Sequence, residues 1–248
     1  MAAASDLHVD SVLSLITKQQ DGFLYLRQIV NRLGENFKQI LQSISSDDRL
    51  KTLQIRDNKT GMTILHIAAA NSDTETVEMI LDCVSEEERY ILLSAQAWNQ
   101  FTPIHFACLS DNSSLLDLMI RLFKEETRYK LLQITSASGS TPLHWSALRG
   151  HTQAISTIAD SLTAQHLLHL LGITDDYGKT PLRRAQYGGK LAAADLLQDY
   201  QTKALIDVAL QQADQTGSNS IQISLLYLQR LEFPRRPSTV FDYSFYGV

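Results

Sequence analysis

Cysteine is nearly absent: Cys83 and Cys108 are the only two in 248 residues, and they do not stand at metal-ligand spacing. A disulfide scaffold is thereby excluded. Both fall at apolar positions of the pattern described below, as expected of buried, reduced thiols in an intracellular protein. Long apolar runs are missing too. No stretch approaches the ~20 residues of a membrane span, and Met1 to Asp10 lacks the basic segment and apolar run of a secretory signal. The expectation is a cytoplasmic or nuclear protein without membrane insertion. Lys and Arg, 22 together, are outnumbered by 27 Asp and Glu, and the net charge of −5 argues against nucleic acid as partner. Glycine-rich phosphate loops, H-E-x-x-H, G-x-S-x-G and kinase signatures are all absent, so no string points to catalysis or a cofactor.

Proline is scarce as well, five in all, yet three of the five recur in one context. Thr102-Pro103-Ile104-His105, Thr141-Pro142-Leu143-His144 and Thr180-Pro181-Leu182-Arg183 follow Thr63-Ile64-Leu65-His66, and the four threonines are spaced by 39 residues. A fixed period of this size marks a solenoid of stacked supersecondary units. Each residue of the string has a physical task. Gly61, Gly139 and Gly178 suit a turn that needs positive φ, with Gln100 in their place in the second repeat. Threonine offers an N-cap hydroxyl, and proline occupies the first helical position, where its missing N–H costs nothing. Small residues follow (Ala68-Ala69, Ala107-Cys108, Ser146-Ala147), which lets neighbouring helices approach closely.

Breaks at Ser72-Asp73, Asp111-Asn112, Gly150-His151 and Gly189-Lys190 separate this short helix from a second, with apolar residues such as Val77, Ile80 and Leu81 at helical spacing. A third short helix is predicted over 85–93, 125–132 and 163–171. Ser85 and Glu88 have the spacing of a capping box, which makes the run Glu86 to Glu88 a solvated helix start rather than a cation site.

This string, the glycine before it and its place at the head of a helix pair resemble the ankyrin repeat. The usual length in that family is 33, and the third helix would absorb the six additional residues. The resemblance implies an all-α solenoid of stacked helix pairs joined by short hairpins, with four repeats over 57–200. Register extends it to a degenerate N-terminal capping repeat at 22–56 and a degenerate C-terminal capping half-repeat within 201–233. Residues 1–21 form a helical or disordered leader and 234–248 a tail.

By the same resemblance the hairpin tips and the exposed end of the first helix line a concave face that holds a partner. The positions carried over include Trp98, Phe101, Leu109, Leu148, Arg149, Tyr177, Lys179 and Tyr187, with large aromatics and arginine as the anchors. His66, His105 and His144 are expected to bridge adjacent hairpins by hydrogen bonds. Phe106 and Trp145, one position on, are expected in the core. His166 and His169 stand at i, i+3 with no carboxylate or cysteine cluster nearby in sequence, and read as surface histidines. In the tail, Arg235 and Arg236 precede Ser238, a candidate phosphorylation site, and Phe241, Tyr243, Phe245 and Tyr246 are expected to pack on the last helix. The reading is a monomeric, non-enzymatic scaffold or adaptor that binds another protein without cofactor or metal. Its alternative is a regulatory or effector module controlled by the tail.

Overall fold

The computed structural model describes residues 35–216, and every regular element among them is a helix. The first two, α1 (Glu35–Ser43) and α2 (Ser46–Leu53), stand 39 residues before α4 (Thr74–Asp82) and about 40 before α5 (Glu86–Ser94), so the period already runs in the segment ahead of the first clear motif. The motif helices are α3 (Ile64–Ala70), α6 (Pro103–Leu109), α9 (Pro142–Arg149) and α12 (Pro181–Tyr187). Each is followed by a middle helix: α4, then α7 (Ser113–Arg121), α10 (Thr152–Asp160) and α13 (Leu191–Thr216). The predicted third helices are present as α5, α8 (Glu125–Leu132) and α11 (Ala164–Gly172). Motif helices pack on motif helices and middle helices on middle helices, and one buried cluster runs from Leu41 to Ala204.

Local chemistry sets the boundaries. The turn into each middle helix needs a left-handed residue, supplied by Ser72 (φ 57°), Asp111 (φ 54°), Gly150 (φ 81°) and Gly189 (φ 66°). Asp73 and Asn112 then accept from the N–H groups of Thr76 and Leu115 as N-caps. The Ser85–Glu88 capping box is complete: Ser85 N–H donates to Glu88 Oε2 (2.7 Å) and Glu88 N–H to Ser85 Oγ (3.3 Å).

Hairpin tips follow one pattern. Gly61 donates to the Asp57 carbonyl (2.8 Å), Gln100 to Ala97 (2.8 Å), Gly139 to Ser136 (2.9 Å) and Gly178 to Asp175 (2.9 Å). All four donors have φ between 62° and 69°, so Gln100 bears a left-handed conformation that the other repeats give to glycine. Replacing Gln100 with glycine is therefore expected to stabilise the protein by about 1 kcal/mol, the cost of holding a Cβ in that region. A urea midpoint unchanged or lowered in the Gln100→Gly variant would contradict this.

Backbone bonds repeated with the period join each hairpin to the next. Trp98 N–H donates to the Thr60 carbonyl (3.1 Å), Ala137 to Asn99 (3.0 Å) and Asp176 to Ser138 (3.1 Å). The third helices add an arginine clasp that the motif does not contain. Arg128 lays its Nε on the Ile120 carbonyl (3.2 Å), Nη2 on the Phe123 carbonyl (2.9 Å) and Nη1 on the Ser161 carbonyl of the next repeat. Arg49 does the same with Leu41, Ile44 and Cys83, and Arg89 reaches the Leu81 carbonyl (2.7 Å). Each guanidinium satisfies carbonyls that a helix C-terminus leaves without partners.

The last helix departs from the period. A break after about residue 199 would match the earlier repeats, but α13 continues unbroken to Thr216, past the 200/201 boundary set by sequence. Thr202, at the place where Thr163 caps α11, instead turns its hydroxyl back on the Gln198 carbonyl (2.9 Å) inside the helix. Of the capping half-repeat expected within 201–233, residues 201–216 belong to α13 and the rest lie outside the described residues, as do the tail and the leader.

Candidate functional site: the motif-helix face

The motif histidines sit at the centre of the stack, buried. Threonine N–H donates to Nδ1 at 3.1 Å in each of Thr63–His66, Thr102–His105 and Thr141–His144. Nε2 meets the carbonyl of the next hairpin: Phe101 (3.0 Å), Ser140 (3.1 Å) and Lys179 (3.0 Å). A carbonyl can only accept, so Nε2 carries the proton and Nδ1 is the acceptor. Burial outweighs the carbonyl contacts and pushes all three pKa values down to about 4. The rings are neutral ties between repeats with no free nitrogen for catalysis. Arg183, in the fourth motif, is exposed and, among the described residues, its guanidinium bonds locally to Gln186 (3.4 Å).

The face beside this spine is apolar in its middle. Phe101 stacks on His105 (centroids 5.4 Å, planes 3° apart) and meets Phe106 and Trp145 edge-on at 5.4 and 5.1 Å. Phe101, Leu109 and Leu148 are half-buried, and so are Phe106 and Trp145, which the sequence places in the core. Phe106 packs against the core and meets His66 edge-on at 6.0 Å, and Trp145 meets the Phe101 ring of the preceding hairpin. The indole Nε1 of Trp145 is buried without a protein acceptor.

Toward the fourth repeat the face becomes polar and aromatic. Tyr177 and Tyr187 are 66% and 64% exposed there and Arg149 is exposed on α9, while Trp98, in the second hairpin, is 63% exposed. The Lys179 ammonium sits 4.2 Å over the Tyr187 ring and donates to its hydroxyl (3.1 Å), which lowers the Tyr187 pKa. Tyr177 packs on the Arg184 guanidinium (5.1 Å). That guanidinium is paired with the buried Asp175, whose carboxylate also accepts from the Tyr177 and Lys179 N–H groups (2.9 Å each). Despite its burial, these partners hold the Asp175 pKa below the usual range. The hairpin thus presents Tyr177 and Lys179 from a rigid base. Asp175 escaped sequence reading because its role is to accept from residues two and four positions on, a pattern with no motif of its own. Ser238 lies outside the described residues.

On the third helices the structure supplies what the sequence left out around His166. Glu125 and Glu126, from the preceding repeat, lie beside it: His166 Nδ1 bonds Glu125 (2.6 Å), Tyr129 stacks on the ring (4.0 Å), and Nε2 is 3.7 Å from Glu126. These are the three residues whose ligand atoms come within 4.8 Å of one another. Glu125 also accepts from the Thr163 N–H (3.1 Å), so its carboxylate already serves the inter-repeat link. Glu126 and one imidazole nitrogen then remain, short of the three or four protein ligands of a zinc site. Cys108, buried, has its thiol pushed up to about 12 and is inert as a nucleophile.

A stack of helix pairs with one continuous face built from hairpin tips and motif helices defines a class of protein-interaction module. A family model described as ankyrin repeats in three copies matches residues 1–130 and again 104–208, and the chain belongs to that family. Ankyrin repeats are generally protein–protein interaction modules. No curated protein matches the chain. No helix among the described residues is long and apolar enough to cross a membrane.

Proposed function

We propose that this protein is a non-enzymatic scaffold or adaptor, cytoplasmic or nuclear, that holds a partner protein on its concave motif-helix face. The four repeats of 57–200 supply the face, and the flanking segments 22–56 and 201–233 protect its ends. The observation that carries the reading is the register-equivalent series Leu109, Leu148 and Tyr187, half-exposed or exposed on successive repeats beside the half-exposed Phe101. Such side chains, held on a rigid stack, lose little ordering entropy on binding. Trp98, Arg149, Tyr177 and Lys179 rim the same face.

Proximity labelling with the full chain, followed by pull-down of the labelled proteins, tests this. Changing Leu148 to Glu together with Tyr187 to Ala is expected to abolish capture of the partner, a loss of about 3 kcal/mol for a central anchor and its neighbour. The circular dichroism melt should stay unchanged. Partners retained by this double variant would refute the face assignment.

A further inference from the structure

Charge is divided between the faces of this protein in a way that its net charge hides. The motif helices α3, α6, α9 and α12 contain no Asp or Glu at all, while Arg149, Arg183 and Arg184 lie on them. Of the helices behind them, α4, α5, α7, α8, α10 and α13 carry carboxylates, and α11 carries none. In this acidic chain the four motif helices are thus free of carboxylates.

What remains on the motif helices and hairpin near the fourth repeat includes three cations outside any ion pair. Arg149 and Lys190 are exposed, and the Lys190 stem lies against Gly150, which brings the two cations to the same edge. Lys179 completes the group through its contact with Tyr187. Among the described residues none of the three takes part in an ion pair. Arg184, by contrast, is neutralised by Asp175. The nearby carboxylate of Asp111 faces His151 (3.9 Å), and Asp57 is occupied by the Thr60 N–H and hydroxyl. Asp176 is the exposed carboxylate left along the hairpins.

We infer that the partner engages this face through an acidic protein segment with an apolar anchor. The anchor rests on Phe101, Phe106, Trp145 and Leu148, and the carboxylates meet Arg149, Lys179 and Lys190. From the second repeat to the fourth the face spans two strides of about 10 Å, a distance that about six extended residues cover. The inference rests on the proposed binding face and adds the chemistry of what binds there. Opposite charge steers encounter and rejects wrong partners, while the apolar floor supplies the burial.

Panning a phage library of random peptides, about twelve residues long, on the full chain tests it. Enriched peptides should be acidic and contain an aromatic or large aliphatic residue. In fluorescence polarisation, such a peptide should bind about tenfold more weakly to the Arg149→Glu, Lys190→Glu variant, and several-fold more weakly when salt rises from about 0.05 to about 0.3 M. Enriched peptides that are neutral or basic yet lost on Leu148→Glu would overturn the inference and leave the binding face standing. Peptides indifferent to Leu148→Glu would overturn both, and so would the absence of any enrichment. Equal binding of a labelled single-stranded oligonucleotide, competing with the peptide, would overturn the protein-segment reading in favour of a general polyanion surface.

Discussion

Replacing His105 with alanine is expected to destabilise the protein by about 3 to 5 kcal/mol. The imidazole is fully buried, donates from Nε2 to the Ser140 carbonyl (3.1 Å), accepts the Thr102 N–H (3.1 Å) and stacks on Phe101 (5.4 Å). Alanine leaves a buried carbonyl and a buried N–H without partners, each costing about 1 to 3 kcal/mol, and opens a ring-sized cavity beside them. The lost bond joins the second repeat to the third, so the damage falls on one nearest-neighbour interface of the stack. Urea denaturation checks this through a lowered midpoint. A slope reduced at the same time would mean that the two halves unfold separately. Arg183→Ala, at the register-equivalent but exposed position, is expected to change stability by under about 0.5 kcal/mol. A His105→Ala variant as stable as the parent would remove the spine from the account of this fold.

Mild acid is expected to weaken the protein steeply between pH 6.5 and 4. His66, His105 and His144 are held down to about 4 in the folded chain by burial. Unfolding returns them to about 6.5. Above 6.5 neither state takes up a proton at these rings and their contribution is fully present. Between the two values the unfolded chain binds up to three more protons than the folded one, so stability falls as pH falls, by up to about 4 kcal/mol per pH unit. Each histidine accounts for a loss on the order of 3 kcal/mol by the time pH passes below its folded value. Asp57, held low chiefly by the Thr60 hydroxyl, adds its own loss only at lower pH. Urea midpoints at about pH 7.5, 6.5 and 5.5 give the measurement, and a flat profile across this window would contradict neutral, buried histidines. The window also bears on the binding tests, which belong above pH 7, where the scaffold is at full strength.

Much of the architecture could be read from the chain because a solenoid repeats its local chemistry. Thr141, Pro142 and His144 specify a capped helix start using only neighbours in sequence, and the 39-residue period repeats that string, with Ile64 for proline and Arg183 for histidine as its variants, through four motifs. The third helix was legible through the Ser85–Glu88 box for the same reason. The unbroken α13 was not: Thr202 is a cap residue by type, and only its hydrogen bond back to Gln198 decides that it stays inside a helix.

Contacts that bridge repeats are a different matter, since they join residues some 33 to 43 positions apart that no local rule pairs. The arginine clasp of Arg128 on Ser161 and the meeting of His166 with Glu125 follow from the stacking distance between repeats. So does the division of charge. Each motif helix is too short to reveal that its lack of carboxylates matters; four of them aligned on one side create a face. Sequence alone determined the repeat and its capped helix starts, because those depend on φ, caps and period. Tertiary structure alone decided that Phe106 and Trp145 stay half-buried rather than in the core and that Lys190 is exposed against Gly150. Exposure is a property of what the neighbouring repeat covers.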